Sequence, residues 1–209
     1  MRIEANISGR DHWEKIYSTK TEKEVSWFQP YPTLSMKFID SFNLPEDAAI
    51  IDIGTGDGLF IEALLAKGYR NISALDISRN AIERAKTRLG EKAAAINWIV
   101  SDILSFDPTT KFDLWHDRAT FHFLTREKDV NRYISLAAKS IAPNGYMLLS
   151  TFSEQKPKKC SGLDTRQYSE TSLSTKLDPG FEKLNCVQAD HTTPFNTLQN
   201  FLFCSFKKK

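Results

Sequence analysis

Short apolar runs alternate with amphipathic stretches through the middle of the chain. Apolar runs of this length are typical of buried strands, and amphipathic stretches of ten or so residues are typical of helices. Strands that alternate with helices form βαβ units, so the pattern predicts a five-stranded parallel sheet with helices on both faces. The predicted strands are residues 48–53, 72–76, 96–100, 112–116 and 146–152; the helices between them are residues 59–67 before Gly68, 79–89 after an N-cap at Ser78, and a helix from about Arg126, capped by Thr125.

Both ends of the chain depart from this alternation. Residues 11–43 are rich in aromatic side chains and predict two short helices, the second beginning near Pro32. Towards the other end, a helix near residues 170–177 precedes two strand-like stretches, 181–190 and 197–207, with a short turn between them. Strands joined so closely pair antiparallel, because a parallel pair needs a longer crossover. The predicted fold is therefore a doubly wound, Rossmann-like sheet that ends in an antiparallel hairpin.

Composition changes this picture little. The chain has 209 residues, 41% of them hydrophobic and 26% charged, which is typical of one globular domain, and its net charge of +2 gives no reason to expect a nucleic-acid partner. Its first ten residues lack a signal-peptide core, and no run approaches the roughly 20 apolar residues that span a bilayer. We therefore expect a cytoplasmic protein without membrane contact, monomeric by default.

The three cysteines, Cys160, Cys186 and Cys204, lie far apart and outside any Cys-x-x-Cys spacing. An odd number of cysteines in this arrangement is not typical of a disulfide framework or of a structural zinc site. We expect neither in this protein, and we expect no metal site elsewhere in it.

A cluster of glycines follows the first predicted strand, in the sequence Asp52-Ile-Gly54-Thr-Gly56-Asp-Gly58. Glycines there permit a tight turn and let the backbone approach a ligand, while the following helix offers free N–H donors. Asp76 ends the second strand, 18 residues past Gly58, where a carboxylate can accept both hydroxyls of a ribose. Asp102 follows the third strand. These loops predict a nucleotide-binding crevice at the carboxyl ends of the strands.

The spacing of the glycines narrows the choice of nucleotide. A dinucleotide fingerprint is G-x-G-x-x-G, whereas this chain has G-x-G-x-G preceded by Asp52. A carboxylate there would repel a pyrophosphate but can pair with an ammonium group. Together with Asp76, Asp102 and the terminal hairpin, this pattern resembles the class I S-adenosylmethionine-dependent methyltransferases, whose seven-stranded sheet ends in such a hairpin. The resemblance covers nearly the whole chain from Asp11.

The resemblance implies how S-adenosylmethionine, and its product S-adenosylhomocysteine, would be held. Residues 1–45 would form a helical cover, 46–152 the cofactor-binding core, and 153–209 the acceptor-side loop, helix and hairpin of a single domain. An aromatic side chain of the cover would attract the sulfonium by a cation–π interaction. The implied contacts of the methionine moiety are Asp52, Gly54, Gly56 and Gly58. Asp76 would bind the ribose hydroxyls, Asp102 the adenine amino group, and Ile103 and Ile77 the adenine faces. The aromatic residue at the sulfonium would be Trp27, with Tyr17 as the second candidate.

Residues after the fourth strand face the sulfonium in this fold. The stretch Asp117-Arg-Ala-Thr-Phe121 is similar to the Asp-Lys-Gly-Thr-Phe/Leu stretch of protein lysine methyltransferases, including those acting on elongation factors. It is also similar to the Trp-Asp-Arg-Gly segment of thiopurine and small-thiol methyltransferases, although Ala119 stands where both have Gly. His122 is the candidate catalytic base, because imidazole titrates near neutral pH; the alternative is a packed histidine. Asp117 is the second candidate, to bind the methionine ammonium, orient the acceptor or pair with Arg118.

The sequence favours a small-molecule acceptor, because no appended domain or strong charge patch recruits a protein. Loops at this rim usually carry specificity, and residues 153–168 form the longest irregular stretch, in which Cys160, Arg166 and Tyr168 could line an acceptor pocket. The alternative acceptor is a protein lysine. Two further readings are an NAD-dependent oxidoreductase, which would bind NAD(H) but not S-adenosylhomocysteine, and a non-catalytic module, which would bind cofactor without turnover.

Overall fold

The computed structural model describes residues 9–155 and 157–209; residues 1–8, which belong to the stretch where we expect no signal peptide, lie outside these ranges. Within them, no helix is both long and apolar enough to cross a membrane. The helices are α1 (Gly9–Thr19), α2 (Thr33–Phe42), α3 (Leu59–Ala66), α4 (Arg79–Leu89), α5 (Glu127–Ser140) and α6 (Glu170–Leu177). The strands are β1 (Ile50–Ile53), β2 (Ile72–Asp76), β3 (Ile96–Val100), β4 (Phe112–Arg118), β5 (Ile141–Phe152), β6 (Lys159–Cys160), β7 (Leu163–Asp164), β8 (Phe181–Thr192) and β9 (Leu198–Lys208).

Seven of these strands form one sheet in the order β3-β2-β1-β4-β5-β9-β8. Strands β1 to β5 are parallel, whereas β9 runs antiparallel to both β5 and β8. The predicted doubly wound sheet of five parallel strands and a terminal antiparallel hairpin is therefore confirmed. The chain order reverses between β1 and β4, the position at which open α/β sheets bind their ligands.

Alternate residues of each strand enter two separate apolar layers. Ile50 of β1 packs in a layer with helices α2 and α3, while the next residue, Ile51, packs in a layer with α5 and α6. This division follows from the two-residue period of a strand, which turns successive side chains to opposite faces. Because helices cover both faces, the central strands are buried throughout and are nearly continuous apolar runs.

Strand register brings the ends of the parallel strands to one edge. Ile53 of β1 lies beside Leu75 of β2 and beside Asp117 of β4, and Asp76 lies beside Val100 of β3. The glycine loop, Asp76 and the loop after β3 therefore meet at the same rim of the sheet, as the sequence predicts.

Two predicted details are wrong. Helix α5 has Arg126 rather than Thr125 as its N-cap, because the extended backbone of Arg126 begins the helix while its guanidinium bonds Asp129 in the first turn. The stretch 153–168 is also less irregular than expected. It contains the β6–β7 hairpin and a bridge between Ser153 and Tyr168, so part of the rim is a fixed structure.

The expectation of no disulfide is wrong for one pair of cysteines. Cys186 of β8 and Cys204 of β9 are joined by a disulfide, and Cys160 is the free cysteine of the described residues. The two bonded residues are directly opposite each other in the antiparallel pair, with their Cα atoms 4.2 Å apart. Their contact depends on the register of β8 against β9, which spacing along the chain does not reveal.

We expect Cys186→Ala to lower the free energy of unfolding by about 3 kcal/mol in the absence of reductant, because the bond closes a short loop in the unfolded chain. Denaturant titration with and without dithiothreitol measures this difference. With reductant present, the wild type and the variant should unfold together. Equal stability of the two proteins without reductant would show that the bond does not stabilise the hairpin.

Candidate active site

A crevice opens at the rim where β1, β2, β3 and β4 end. Its main part is a cavity of about 360 Å³, and a smaller cavity of about 80 Å³ lies beside the glycine loop. Tyr17, Trp27, Gly54 and Arg118 line both cavities, so the two are neighbouring parts of one site. A site of this size and position is typical of small-molecule and cofactor binding in open α/β folds.

Asp76 holds the first two loops of the site together. Its carboxylate accepts hydrogen bonds from the backbone N–H of Gly56, at 2.9 Å, and of Ser78, at 2.9 Å. The side chain is buried, and this burial raises the pKa of Asp76 to about 6 although both N–H donors lower it. Each carboxylate oxygen has a second lone pair, and Asp76 lines the main cavity, so the side chain can also accept hydroxyl groups of a ligand.

The glycine loop leaves no room for side chains at its first two glycines. A Cβ on Gly54 would lie 2.0 Å from the hydroxyl of Thr120, and a Cβ on Gly56 would lie 2.8 Å from the hydroxyl of Tyr17. Both residues line the smaller cavity. Gly58 differs, because it packs against Ala85 of α4 and lines neither cavity, so its glycine serves the packing of α4.

The end of the cavity where we expect the nucleotide, called the nucleotide end below, is formed by the loops after β2 and β3. Ile77, Asp102 and Ile103 all line the main cavity, and their contact with the adenine stays a prediction. The Asp102 carboxylate also accepts a hydrogen bond from the backbone N–H of Leu104, at 2.8 Å, and so caps the short helical turn that follows. The capping bond fixes the direction of this side chain at the rim.

Asp52 lies at the smaller cavity in a chain of buried polar groups. The His116 Nδ1–H donates to the Asp52 carboxylate at 2.7 Å, and the Ser35 hydroxyl lies 3.0 Å from His116 Nε2. All three side chains are buried, and the ring of Phe60 stacks on the imidazole. His116 is not among the predicted site residues, yet it fixes the orientation of Asp52.

Aromatic side chains of the N-terminal segment cover the crevice. Trp13, Tyr17 and Trp27 contact one another, and Trp13 also packs on Phe123 with ring centres 5.1 Å apart. The carboxylate of Glu14 in the same helix accepts hydrogen bonds from the first backbone N–H groups of α4, which attaches the cover to the core. Trp27 and Tyr17 thus line the crevice, while their contact with the sulfonium stays a prediction. Trp13 and Phe123 are additional lining residues.

Asp117 points away from the crevice. Its carboxylate accepts hydrogen bonds from the backbone N–H groups of Thr120 and Phe121 and from the hydroxyl of Tyr133. The side chain has no solvent exposure, burial raises its pKa to about 7, and it lines neither cavity. Since neighbouring residues of a strand face opposite sides, Arg118 points into the crevice instead and makes no ion pair with Asp117.

His122 is also buried behind the lining of the main cavity. Its imidazole stacks on Phe152, and its Nδ1 accepts a hydrogen bond from the backbone N–H of Phe152. Burial, together with the nearby charge of Arg118, lowers the pKa of His122 to about 3. The ring is therefore neutral at working pH and is held as part of the packing.

The far end of the main cavity is built from segments that are distant in the sequence. Cys160 and Leu163 of the β6–β7 hairpin lie there with Phe152, Gln199 and Phe201. Cys160 thus lines the main cavity, and its place in an acceptor pocket stays a prediction. Arg166 pairs with Glu127 instead, and Tyr168 is buried against Phe121, so neither lines the cavity.

Part of the chain that forms this site matches a known protein family. Residues 50–145, which run from β1 into β5, match the family model described as "Methyltransferase domain". This match, with the fold and the relatives described below, shows an S-adenosylmethionine-dependent methyltransferase. The matched residues hold the glycine loop, Asp76 and Asp102, and so contain the nucleotide end of the crevice.

Individual relatives of this methyltransferase differ in what they act on. It is 27% identical over 164 residues to "EEF1A lysine methyltransferase 2" of Danio rerio, with 70% of each chain covered. It is 36% identical over 135 residues to "Malonyl-[acyl-carrier protein] O-methyltransferase 2" of Ilyobacter polytropus, covering 64% of this chain and 46% of that protein. The crystal structure of the N-methyltransferase NodS from Bradyrhizobium japonicum WM9 with S-adenosyl-L-homocysteine has the same fold, at 20% identity and a TM-score of 0.72, covering 95% and 99% of the two chains.

We expect the affinity for S-adenosylhomocysteine to increase about tenfold between about pH 5 and about pH 7.5. Asp76 loses its proton near pH 6, and its ionised carboxylate is the stronger acceptor for ribose hydroxyls. Calorimetric titration across this range measures the change. The Asp76→Asn variant, checked for folding by its melting temperature, should bind more weakly and with little dependence on pH; an equally steep dependence in the variant would contradict the assignment.

Proposed function

We propose that this methyltransferase acts on a small-molecule acceptor held at the far end of the main cavity. The observation that carries the proposal is the nature of that end, which is enclosed between the aromatic cover, the β6–β7 hairpin and β9 and is lined mainly by aromatic and apolar side chains. Such a pocket suits a compact, largely apolar molecule better than an extended peptide.

The proposed division of the chain follows from the position of each part. Residues 46–152 hold the cofactor, with Asp76 at the ribose, Asp102, Ile77 and Ile103 at the adenine, and Asp52 with the glycine loop at the methionine end. Residues 1–45 cover the cofactor, and residues 153–209 complete the acceptor pocket. Bound S-adenosylmethionine supplies a methyl group on an electrophilic sulfonium. We place the protein in the cytoplasm as a monomer.

The fit of the cofactor is supported by two features of the chain. Gly54 and Gly56 line the smaller cavity beside Asp52, where the loop lies too close to Thr120 and Tyr17 to carry a Cβ, and Thr55 in that loop has a buried hydroxyl without a hydrogen-bond partner. Trp27 lies between the smaller cavity and the main one, which is the place where an aromatic face would meet a sulfonium.

The charges around the main cavity favour this acceptor over a protein lysine. Of the carboxylates that line it, Asp76 and Asp102 lie at the nucleotide end, and Asp129 is paired with Arg126. A lysine ammonium at the acceptor end would meet Arg118 and no carboxylate. The alternative of a lysine methyltransferase is supported by the similarity to EEF1A lysine methyltransferase 2 and by the Asp117–Phe121 stretch.

We propose that Asp117 and His122 support the reaction by holding the lining of the pocket. Asp117 fixes the turn after β4, which carries Thr120 and Phe123 of the site, and His122 fixes the backbone of Phe152. In-line methyl transfer depends mainly on alignment and exclusion of water, so positioning groups of this kind contribute without exchanging a proton.

The proposal is tested by methyl transfer from labelled S-adenosylmethionine in a lysate of the source cells, separated afterwards into protein and low-mass fractions. We expect label in the low-mass fraction, removed by an excess of S-adenosylhomocysteine and absent with Asp76→Ala. Label in a protein band that depends on Asp76 would instead make this a protein methyltransferase. NAD(H) binding without S-adenosylhomocysteine binding would point to an oxidoreductase.

We expect Asp117→Asn to retain most of the methyl transfer and Asp117→Ala to lower the free energy of unfolding by about 2–3 kcal/mol, because alanine leaves two backbone donors and a tyrosine hydroxyl without their acceptor.

A carboxyl whose pKa is raised by folding, like that of Asp117, stabilises the protein at low pH, and this contribution is lost as the pH rises to about 7. Wild-type stability should therefore decrease more steeply with pH than that of Asp117→Asn. A large loss of transfer in a stable Asp117→Asn would make Asp117 catalytic.

A further inference from the structure

Arg118 presents a guanidinium group to the crevice. It is the last residue of β4, and its Nη1 donates a hydrogen bond to the backbone carbonyl of Trp27 at 3.1 Å. The guanidinium carbon lies 5.5 Å from the ring centre of Phe201, and the buried Nε has no hydrogen-bond partner. Burial lowers the pKa of Arg118 to about 10, so the group still carries its charge at neutral pH.

No carboxylate of the described residues pairs with this cation. Every other buried or half-buried arginine of the site region has an acidic partner, for example Arg84 with Asp57 and Arg88 with Glu22, whereas none lies within 4.0 Å of Arg118. The negative charge of Asp52 raises the pKa of Arg118, but the Asp52 carboxylate is already bonded to His116. A partly desolvated cation without a counter-ion is costly, and binding an anion removes that cost.

A second polar group at the same end also lacks a partner. The Oε1 atom of Gln199 is buried without a hydrogen-bond partner, and Gln199 lines the main cavity with Phe201 of the same strand. The remaining polar side chain there, Cys160, is a neutral thiol, because burial raises its pKa. The acceptor end thus offers one positive charge, one unpaired amide and otherwise apolar walls.

We propose that Arg118 binds a carboxylate of the acceptor, so that the substrate class is a small organic acid with an apolar body. This inference rests on the proposed function. The planar guanidinium suits a carboxylate because it donates parallel hydrogen bonds to both oxygens, and the apolar walls suit the rest of such a molecule. The Gln199 amide then hydrogen-bonds a polar group elsewhere on the acid.

Arg118 lines the smaller cavity as well, so the methionine carboxylate of the cofactor is a second source of the same chemistry. The two possibilities differ in which ligand binds more weakly when the Arg118 charge is removed. If Arg118 binds the acceptor, its replacement weakens use of the acceptor and leaves S-adenosylhomocysteine binding nearly unchanged. If it binds the cofactor, S-adenosylhomocysteine binding weakens instead.

The test combines two readouts on wild type, Arg118→Gln and the control Arg166→Gln, which removes a half-buried arginine that has its own partner in Glu127 and lines neither cavity. S-adenosylhomocysteine affinity is measured by calorimetry, and melting temperatures verify folding. Labelled methyl transfer is measured with a low-mass extract of the source cells, after its separation into anion-exchange-retained, cation-exchange-retained and neutral fractions.

We expect acceptor activity in the anion-exchange-retained fraction. Arg118→Gln should lower kcat/KM for that fraction at least about tenfold while changing S-adenosylhomocysteine affinity less than about threefold, because a hydrogen bond between two charged groups is lost only at the acceptor. Arg166→Gln should retain the transfer.

Several outcomes would overturn the inference. Activity in the neutral or cation-exchange-retained fraction would exclude an acidic acceptor while leaving a small-molecule methyltransferase intact. A tenfold loss of S-adenosylhomocysteine affinity in Arg118→Gln would assign the residue to the cofactor. Label in no low-mass fraction would overturn the proposed function itself, and the inference with it.

Discussion

The site depends on the buried carboxylate of Asp76. Asp76 accepts hydrogen bonds from the N–H groups of Gly56 and Ser78, and so connects the loop after β1 to the start of α4. The Glu14 carboxylate connects the N-terminal cover to the same helix. The glycine cradle, the nucleotide end of the cavity and the aromatic cover are thus fixed relative to one another through two acidic side chains. A carboxylate placed there is costly to bury, and its backbone donors offset part of that cost.

Much of this arrangement is visible in the sequence because it depends on local patterns. The bounds of β2, β3 and α6 coincide with their apolar runs and helix signals, and Asp76 and Asp102 lie at strand ends whatever the details of packing. The parallel order then brings those ends to one rim. For this reason the fold, and the meeting of the glycine loop, Asp76 and Asp102 at one rim, could be predicted.

The end of the cavity where we propose that the acceptor binds could not be predicted in the same way. Whether Asp117 or Arg118 enters the crevice depends on which face of β4 each residue occupies at the strand end, and the sequence favoured Asp117. The positions of Gln199 and Phe201 depend on the register of β9 against its neighbours. Segments far apart in the chain build this end, so it can change between relatives that share the cofactor site. The differing acceptors in the names of the relatives fit that view.

A crystal structure of the protein with S-adenosylhomocysteine tests the central claim most directly. The account predicts that both ribose hydroxyls lie within hydrogen-bonding distance of the Asp76 carboxylate and that the homocysteine amino group faces Asp52. The sulfur should lie near Trp27, with Arg118 unpaired beyond it. A nucleotide bound away from Asp76, or with its ribose facing solvent, would contradict the account.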